Sequence, residues 1–400
     1  MLDGNWYNVV VQIGAMALPG DLIDLALLAQ DVSQKNAKKN GNSAGSREGL
    51  DGDDLQSKGR RNAGPDREHH MKAATRISAL LAGIAMVATA SVAKAEEITV
   101  AYFLEWPMPF QYAKVKGLYD EALGMKVNWK SFDAGTAMSA AMASGDIQIS
   151  VSQGVPPFVV ATSAGQDLQI ADIAVVYNDN DNCVVKTELE ITKDSAKELE
   201  GKKVGVPIGT AAHYGFLKQM AHFGVDVSTM EVVDMAPPDG AAAFAQGSLD
   251  MVCGWGGALR RMKEHGNVLL TGAEKDAIGI SVYDVTSVPA AYAAEHADVL
   301  AKFLKVTADM NAKWLTDSAE MLPVIAKDAG MSEADTTDTM AGFQFPTVEE
   351  QLSDKWLGKA TPEFLKGVGD FFKEQGNIPA SRDTYDGAVN TGPLAAAAKM

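Results

Sequence analysis

Asp284 lies inside the apolar run SVYDVTSV, where an ionised carboxylate without a partner is costly. A salt bridge to a nearby lysine or arginine would satisfy it, and so would the ammonium of a bound ligand. A second carboxylate, Glu105, precedes Trp106 in EWPMP, and that ring either walls a pocket or packs on the prolines. Asp133-Ala134-Gly135-Thr136 leads into a helix. Backbone amides at Gly135 and the Thr136 hydroxyl would welcome an anion there, while Asp133 suits a plain N-cap. In SQGVPPF, Val155 and Pro156 open another helix, with proline in its ordinary first-turn place. The turn PIGTAAHYG offers Thr210, Ala212, His213 and Tyr214, with His213 either a ligand group or a satisfied core histidine. In CGWGG, Trp255 stands between glycines and is free to swing against a ligand.

These groups suit binding better than turnover. Beyond residue 95 the chain carries no P-loop, no GxSxG elbow, no HExxH and no CxxC pair, and its histidines there, His213, His222, His265 and His296, are scattered. A nucleophile and base made from Cys253 and His213 would lack any signature. Asn178 to Asn182 read NDNDN, an exposed crossing; as a calcium loop it lacks the later glutamate. No metal and no cofactor are expected. Two cysteines, Cys183 and Cys253, allow one bridge and no disulfide framework. A formal charge of −17 and a pI near 4.8 oppose non-specific binding to nucleic acid or an anionic membrane.

The elements that must position these residues alternate. ITVAYF, MKVNW and IQISV read as strands separated by helical stretches around Gln111 to Leu118 and at TAMSAAMA; KVGV, EVVDM and LDMVCG repeat the order with HYGFLKQMAHF and AAAFA between them. This is a duplicated α/β architecture with parallel strands. MASGDIQISVSQG and FAQGSLDMVCGWG correspond most clearly, with Gly145 and Gly247 as left-handed helix stops. Beyond Pro289 the text turns helical, with no convincing strand. The reading is two lobes, 96–180 with 286–400 and 181–285, joined by a hinge near Tyr177 to Asn182 and Tyr283 to Ser287, with ligand held between them at the carboxyl ends of strands.

Met71 to Ala95, MKAATRISALLAGIAMVATASVAKA, has the charged start, short apolar run and Ala-Lys-Ala cleavage triplet of a secretory signal peptide. Residues 1–70 are then expected to be a mis-called leader, with Met71 the true start; a genuine long leader is the alternative. Asn36 to His70 contain almost nothing to bury, which predicts disorder. The mature chain would begin at Glu96 in the periplasm.

From Glu96 to about Asn390 the chain resembles the taurine-binding, substrate-binding proteins of ABC importers, within the group for nitrate, aliphatic sulfonates and taurine. TVAY, VNWKSFDAGTAM, MASGDIQIS, GKKVGVPIGTAAHYGFL, Pro237-Pro238 and DVTSV carry the resemblance. It implies a two-lobed periplasmic binding protein fold, type II-like with a helical C-terminal part. It also implies a monomer that delivers a small zwitterionic or anionic ligand to an inner-membrane permease, without nucleic acid. Carried onto this sequence, it assigns Glu105 and Asp284 to the amine, and Gly135, Thr136, His213 and Tyr214 to the sulfonate. GVPP and Ala211-Ala212 depart from the hydroxyl residues common at those places in the family. The alternative is an enzyme or receptor on the same fold for another small ligand, such as an aliphatic sulfonate, nitrate or a pyrimidine precursor.

Overall fold

Valine-rich strands and alanine-rich helices alternate through a computed structural model that describes residues 97–400 apart from positions 178 and 281. The readings of a leader at 1–70 and a signal peptide at 71–95 lie outside the described residues. The chain begins with β1 (Glu97–Phe103), α1 (Phe110–Lys116), α2 (Leu118–Leu123), β2 (Lys126–Phe132), α3 (Gly135–Ala143), β3 (Ile149–Gly154), α4 (Val155–Ser163) and β4 (Leu168–Tyr177). It continues through β5 (Asp181–Lys186), β6 (Lys203–Val206), α5 (Ala211–Phe223), β7 (Glu231–Asp234), α6 (Pro237–Ala245), β8 (Met251–Trp255), α7 (Gly256–Lys263), β9 (Gly266–Val268) and α8 (Gly272–Ala277). Then β10 (Val282–Pro289) is followed by α9 (Ala290–Glu295), α10 (Ala297–Ala329), α11 (Glu333–Ala341), β11 (Phe343–Gln344), α12 (Val348–Leu352), α13 (Ala360–Glu374) and α14 (Gly392–Ala397).

Two sheets result, ordered β11-β4-β10-β3-β1-β2 and β7-β6-β8-β5-β9. In the first, β1 runs parallel to β2 and β3; in the second, β6 runs parallel to β7 and β8. The chain leaves the first sheet after Tyr177 and re-enters it at Val282, because β10 inserts antiparallel between β3 and β4. Residues 282–285, expected in the second lobe, therefore belong to the first sheet. β3 is buried along its whole length and β4 along most of it, as strands covered on both faces should be.

The duplication carries into backbone geometry. Gly145 and Gly247 both take φ 82°, each just before the strand that leads to the cleft. Helices follow Pro289 as expected, but the two-residue β11 pairs with the Tyr177 end of β4 and adds a short edge strand. Too short for any period-2 signal, it is made by tertiary pairing. α13 packs on α4 and also receives Tyr214 from α5, so a C-terminal helix touches both lobes.

Cys183 and Cys253 face each other in register across β5 and β8 and are bonded, closing a separation of 70 residues. By the loop-closure argument such a bridge contributes about 2–4 kcal/mol. Replacing both cysteines by alanine should lower the unfolding free energy read from urea titration by that amount, with a matching fall in the midpoint; an unchanged midpoint would show that the sheet alone holds this lobe.

Candidate binding site

The loops after the parallel strands of the two sheets meet around a cavity with about 290 Å³ of empty space, its opening to solvent included. Phe103, Trp106, Gly135, Gly154, Pro157, Tyr177 and Asp284 line it from the first lobe, and Asp181, Thr210, Ala211 and Trp255 from the second. Carboxyl ends of strands gather here because parallel strands open their following loops on one side.

Asp284 reaches the cavity through a slip in register. Its pairing with β4 shifts between Asp284 and Val285, a bulge of the kind that re-aims side chains beside functional sites. The carboxylate is buried, and both oxygens accept hydrogen bonds. The Ser152 hydroxyl donates to Oδ2 at 2.7 Å and the Tyr177 hydroxyl to Oδ1 at 2.7 Å. Ser152 in turn accepts the Trp106 indole N–H at 2.9 Å. Ser152 holds φ 63°, a left-handed conformation that a non-glycine residue adopts at a cost, and one that tends to occur where function over-determines the backbone.

Asp181 faces the same cavity from the other lobe at 4% exposure. Its backbone carbonyl accepts from the Lys275 ammonium. Burial pushes the Asp181 carboxyl up to about 7, with Lys275 opposing the rise. Burial also pushes the Asp284 carboxyl up to about 7, against the pull of its two hydroxyl donors, and the charge of Asp181 adds to the rise. Among the described residues that line the cavity none is cationic, so a cation entering it would meet two carboxyl groups from opposite lobes.

The other pole is backbone. α3 opens at Gly135 behind Ala134, which offers no side-chain cap, so the first amides of this nine-residue helix have no intrahelical acceptor. Opposite it, α5 opens at Ala211. The hydroxyl of its cap Thr210 accepts from the His213 N–H and donates to the Pro207 carbonyl at 2.6 Å. Two helix starts of positive dipole therefore face one space. Gly135 must be glycine: a Cβ there would lie 2.7 Å from Pro157 Cγ.

The sequence-derived candidates divide. Trp106, Gly135, Trp255 and Asp284 line the cavity, whereas Thr136 is not among the lining residues and its methyl lies where a Cβ on Gly209 would meet it at 3.2 Å. Val155 and Pro156 are buried in α4. Proline has no N–H to present, and it is the ring of Pro157 that reaches the cavity. His213 accepts the Gly209 N–H on Nδ1 at 3.2 Å and lies against Phe372; burial lowers it to about 4, so the ring is neutral. Tyr214 points the other way, its ring 5.4 Å from that of Phe371 on α13. Glu105, expected to meet an amine, is taken by Arg261 in a two-point ion pair at 2.7 and 2.9 Å. Ser152, Tyr177 and Asp181 are additions. Asp181 carried a readable signal, since a carboxylate opening the apolar strand DNCVV poses the question that Asp284 poses.

A family model described as "NMT1/THI5 like" matches residues 107–317. The chain is 27% identical over 318 residues to the taurine-binding periplasmic protein of Escherichia coli (strain K12), which covers 78% of this chain and 96% of that relative. It is 26% identical over 203 residues to a putative aliphatic sulfonates-binding protein of Bacillus subtilis (strain 168), covering 50% of this chain and 59% of the relative. The alkanesulfonate-binding protein of Xanthomonas axonopodis pv. citri, solved bound to MOPS, superposes with a TM-score of 0.60 at 18% identity, over 74% of this chain and 98% of that one. That likeness is one of fold, the two-lobed fold of periplasmic binding proteins.

Proposed function

This chain belongs to the NMT1/THI5-like family, and from that premise we propose that it is the exported solute receptor of an ABC importer whose solute is taurine or a closely related small amino sulfonate. The observation that carries the reading is the polarity of the cavity. Two buried carboxyl groups, Asp181 and Asp284, suit an ammonium, and the starts of α3 and α5 suit a sulfonate. The names of the curated relatives point to the same ligand class. Phe103, Trp106 and Trp255 supply the apolar wall for the short carbon chain between the two poles. The ligand is held and released unchanged, and the partner is the importer's membrane permease.

A second reading, an alkyl sulfonate without an amine, is favoured by an adjoining cavity lined in part by Leu104, Phe132, Pro237 and Pro238. Calorimetry separates the two. Taurine should bind at least tenfold more tightly than ethanesulfonate, and mass spectrometry should recover it unaltered. Equal affinities would favour the second reading, and binding of neither would refute both.

A further inference from the structure

We infer that Glu105 and Arg261 are a latch that holds the two lobes together, and that a ligand at Asp284 tightens it through Ser152 and Trp106. This deepens the receptor reading and rests on it. Glu105 leaves β1 with φ 54°, a second non-glycine residue in the left-handed region beside the cavity. Three contacts besides chain connectivity hold it there. Its N–H donates to the Ala329 carbonyl at 2.9 Å, its carbonyl accepts the Gly257 N–H at 3.1 Å, and its carboxylate takes both Arg261 nitrogens. Gly257 and Arg261 belong to α7 in the second lobe, whereas Glu105 and Ala329 belong to the first.

The approach is one that only glycine allows. A Cβ on Gly256 would lie 2.4 Å from the Glu105 carbonyl oxygen, and one on Gly257 would lie 2.9 Å from the Glu105 Cβ. A second ion pair, Arg260 to Asp335 at 3.1 Å, ties the same helix to α11. Lone half-exposed pairs contribute little, but a bidentate pair seated on a fixed backbone contact is the favourable exception.

From latch to cavity the path is unbroken. Trp106 follows Glu105 directly, its indole donates to Ser152, and Ser152 donates to Asp284. An ammonium beside Asp284 keeps that carboxylate an acceptor. Ser152 is then held as its donor, and its oxygen stays turned to the indole that anchors the Glu105 turn. Arg261 is not among the residues that line the ligand cavity, although with Glu105 it lines the adjoining one, so its effect is expected on residence time and not on ligand choice.

The test is stopped-flow tryptophan fluorescence with taurine on the parent, Arg261→Gln, Ser152→Ala and the double variant, with ethanesulfonate as comparison ligand. Arg261→Gln should raise koff about tenfold and leave the taurine-to-ethanesulfonate affinity ratio within about twofold. The double variant should raise koff at least threefold less than the product of the single effects. A change in the ratio would place Arg261 on the ligand and overturn the latch; a strictly multiplicative double variant would overturn the path. Glu105→Gln, which keeps the shape of the side chain, repeats the measurement should Arg261→Gln fold poorly. If the parent binds neither ligand, the receptor reading fails by itself. The latch is then read by small-angle scattering, where Arg261→Gln should expand the radius of gyration and an unchanged profile would overturn it.

Discussion

Asp284→Asn should weaken taurine binding by roughly tenfold to a hundredfold while leaving ethanesulfonate binding within about twofold of the parent. The substitution keeps the size of the side chain and one carbonyl-type oxygen for Ser152 or Tyr177, so the network around it can persist. What it removes is the charge that meets the ammonium. A hydrogen bond to a charged group contributes on the order of 1.5–3 kcal/mol, and each 1.4 kcal/mol is tenfold in affinity. Asp181→Asn should behave alike, because the second carboxyl faces the same space from the other lobe. Calorimetry with both ligands on both variants decides the matter. Unaltered taurine affinity in Asp284→Asn would make this residue an architectural anchor of the Ser152–Trp106 chain and remove the main support for a zwitterionic ligand.

Taurine affinity should rise with pH between 6 and 7.5. Both carboxyl groups are pushed by burial from an ordinary 3.8 to about 7 in the ligand-free cleft. An ammonium favours their ionised forms, so binding below about pH 7 must expel protons. The gain should be about tenfold if one carboxyl releases a proton and should approach a hundredfold if both do. Ethanesulfonate, without an ammonium, should show no such rise. Stability of the free protein runs in the opposite sense. A carboxyl whose folded value is raised contributes stability that is complete below about 3.8 and is lost as pH climbs to about 7. The thermal shift produced by taurine should therefore grow from pH 5.5 to 8. Calorimetry at pH 6.5 in buffers of different ionisation enthalpy should register proton release, and its absence would mean that the two groups do not meet the ammonium.

The pH and Asp284 predictions share one physical origin, a carboxylate placed where water cannot solvate it. That origin was readable in one dimension for Asp284, since SVYDVTSV sets a charge in an apolar strand whatever the fold. It was equally present at Asp181, but the surrounding NDNDN composition suggests a solvated crossing and hides a residue that is buried once β5 pairs with β8. His213 and Tyr214 show the reverse. Their place at a helix start beside a glycine-bearing turn points to the cleft, yet α13, more than 140 residues later, covers them with Phe371 and Phe372. Glu105 is the sharpest case. Its type and loop are those of a ligand group, and only the approach of α7 gives it to Arg261.

The sequence by itself determined the alternation of strands and helices, the matched glycine stops at Gly145 and Gly247, the gathering of glycine and aromatic loops after strands, and the demand of Asp284 for a partner. These follow from local periodicity, backbone conformational preference and the cost of burying charge, all of which act over a few residues. The tertiary structure decided which partner each group has: Ser152 and Tyr177 for Asp284, Arg261 for Glu105, Phe372 for His213, Cys253 for Cys183, and Asp181 as the second carboxyl of the cavity. Such pairings depend on the register of strands and the approach of lobes far apart in the chain, and no short-range pattern of residue types encodes a distance across a cleft.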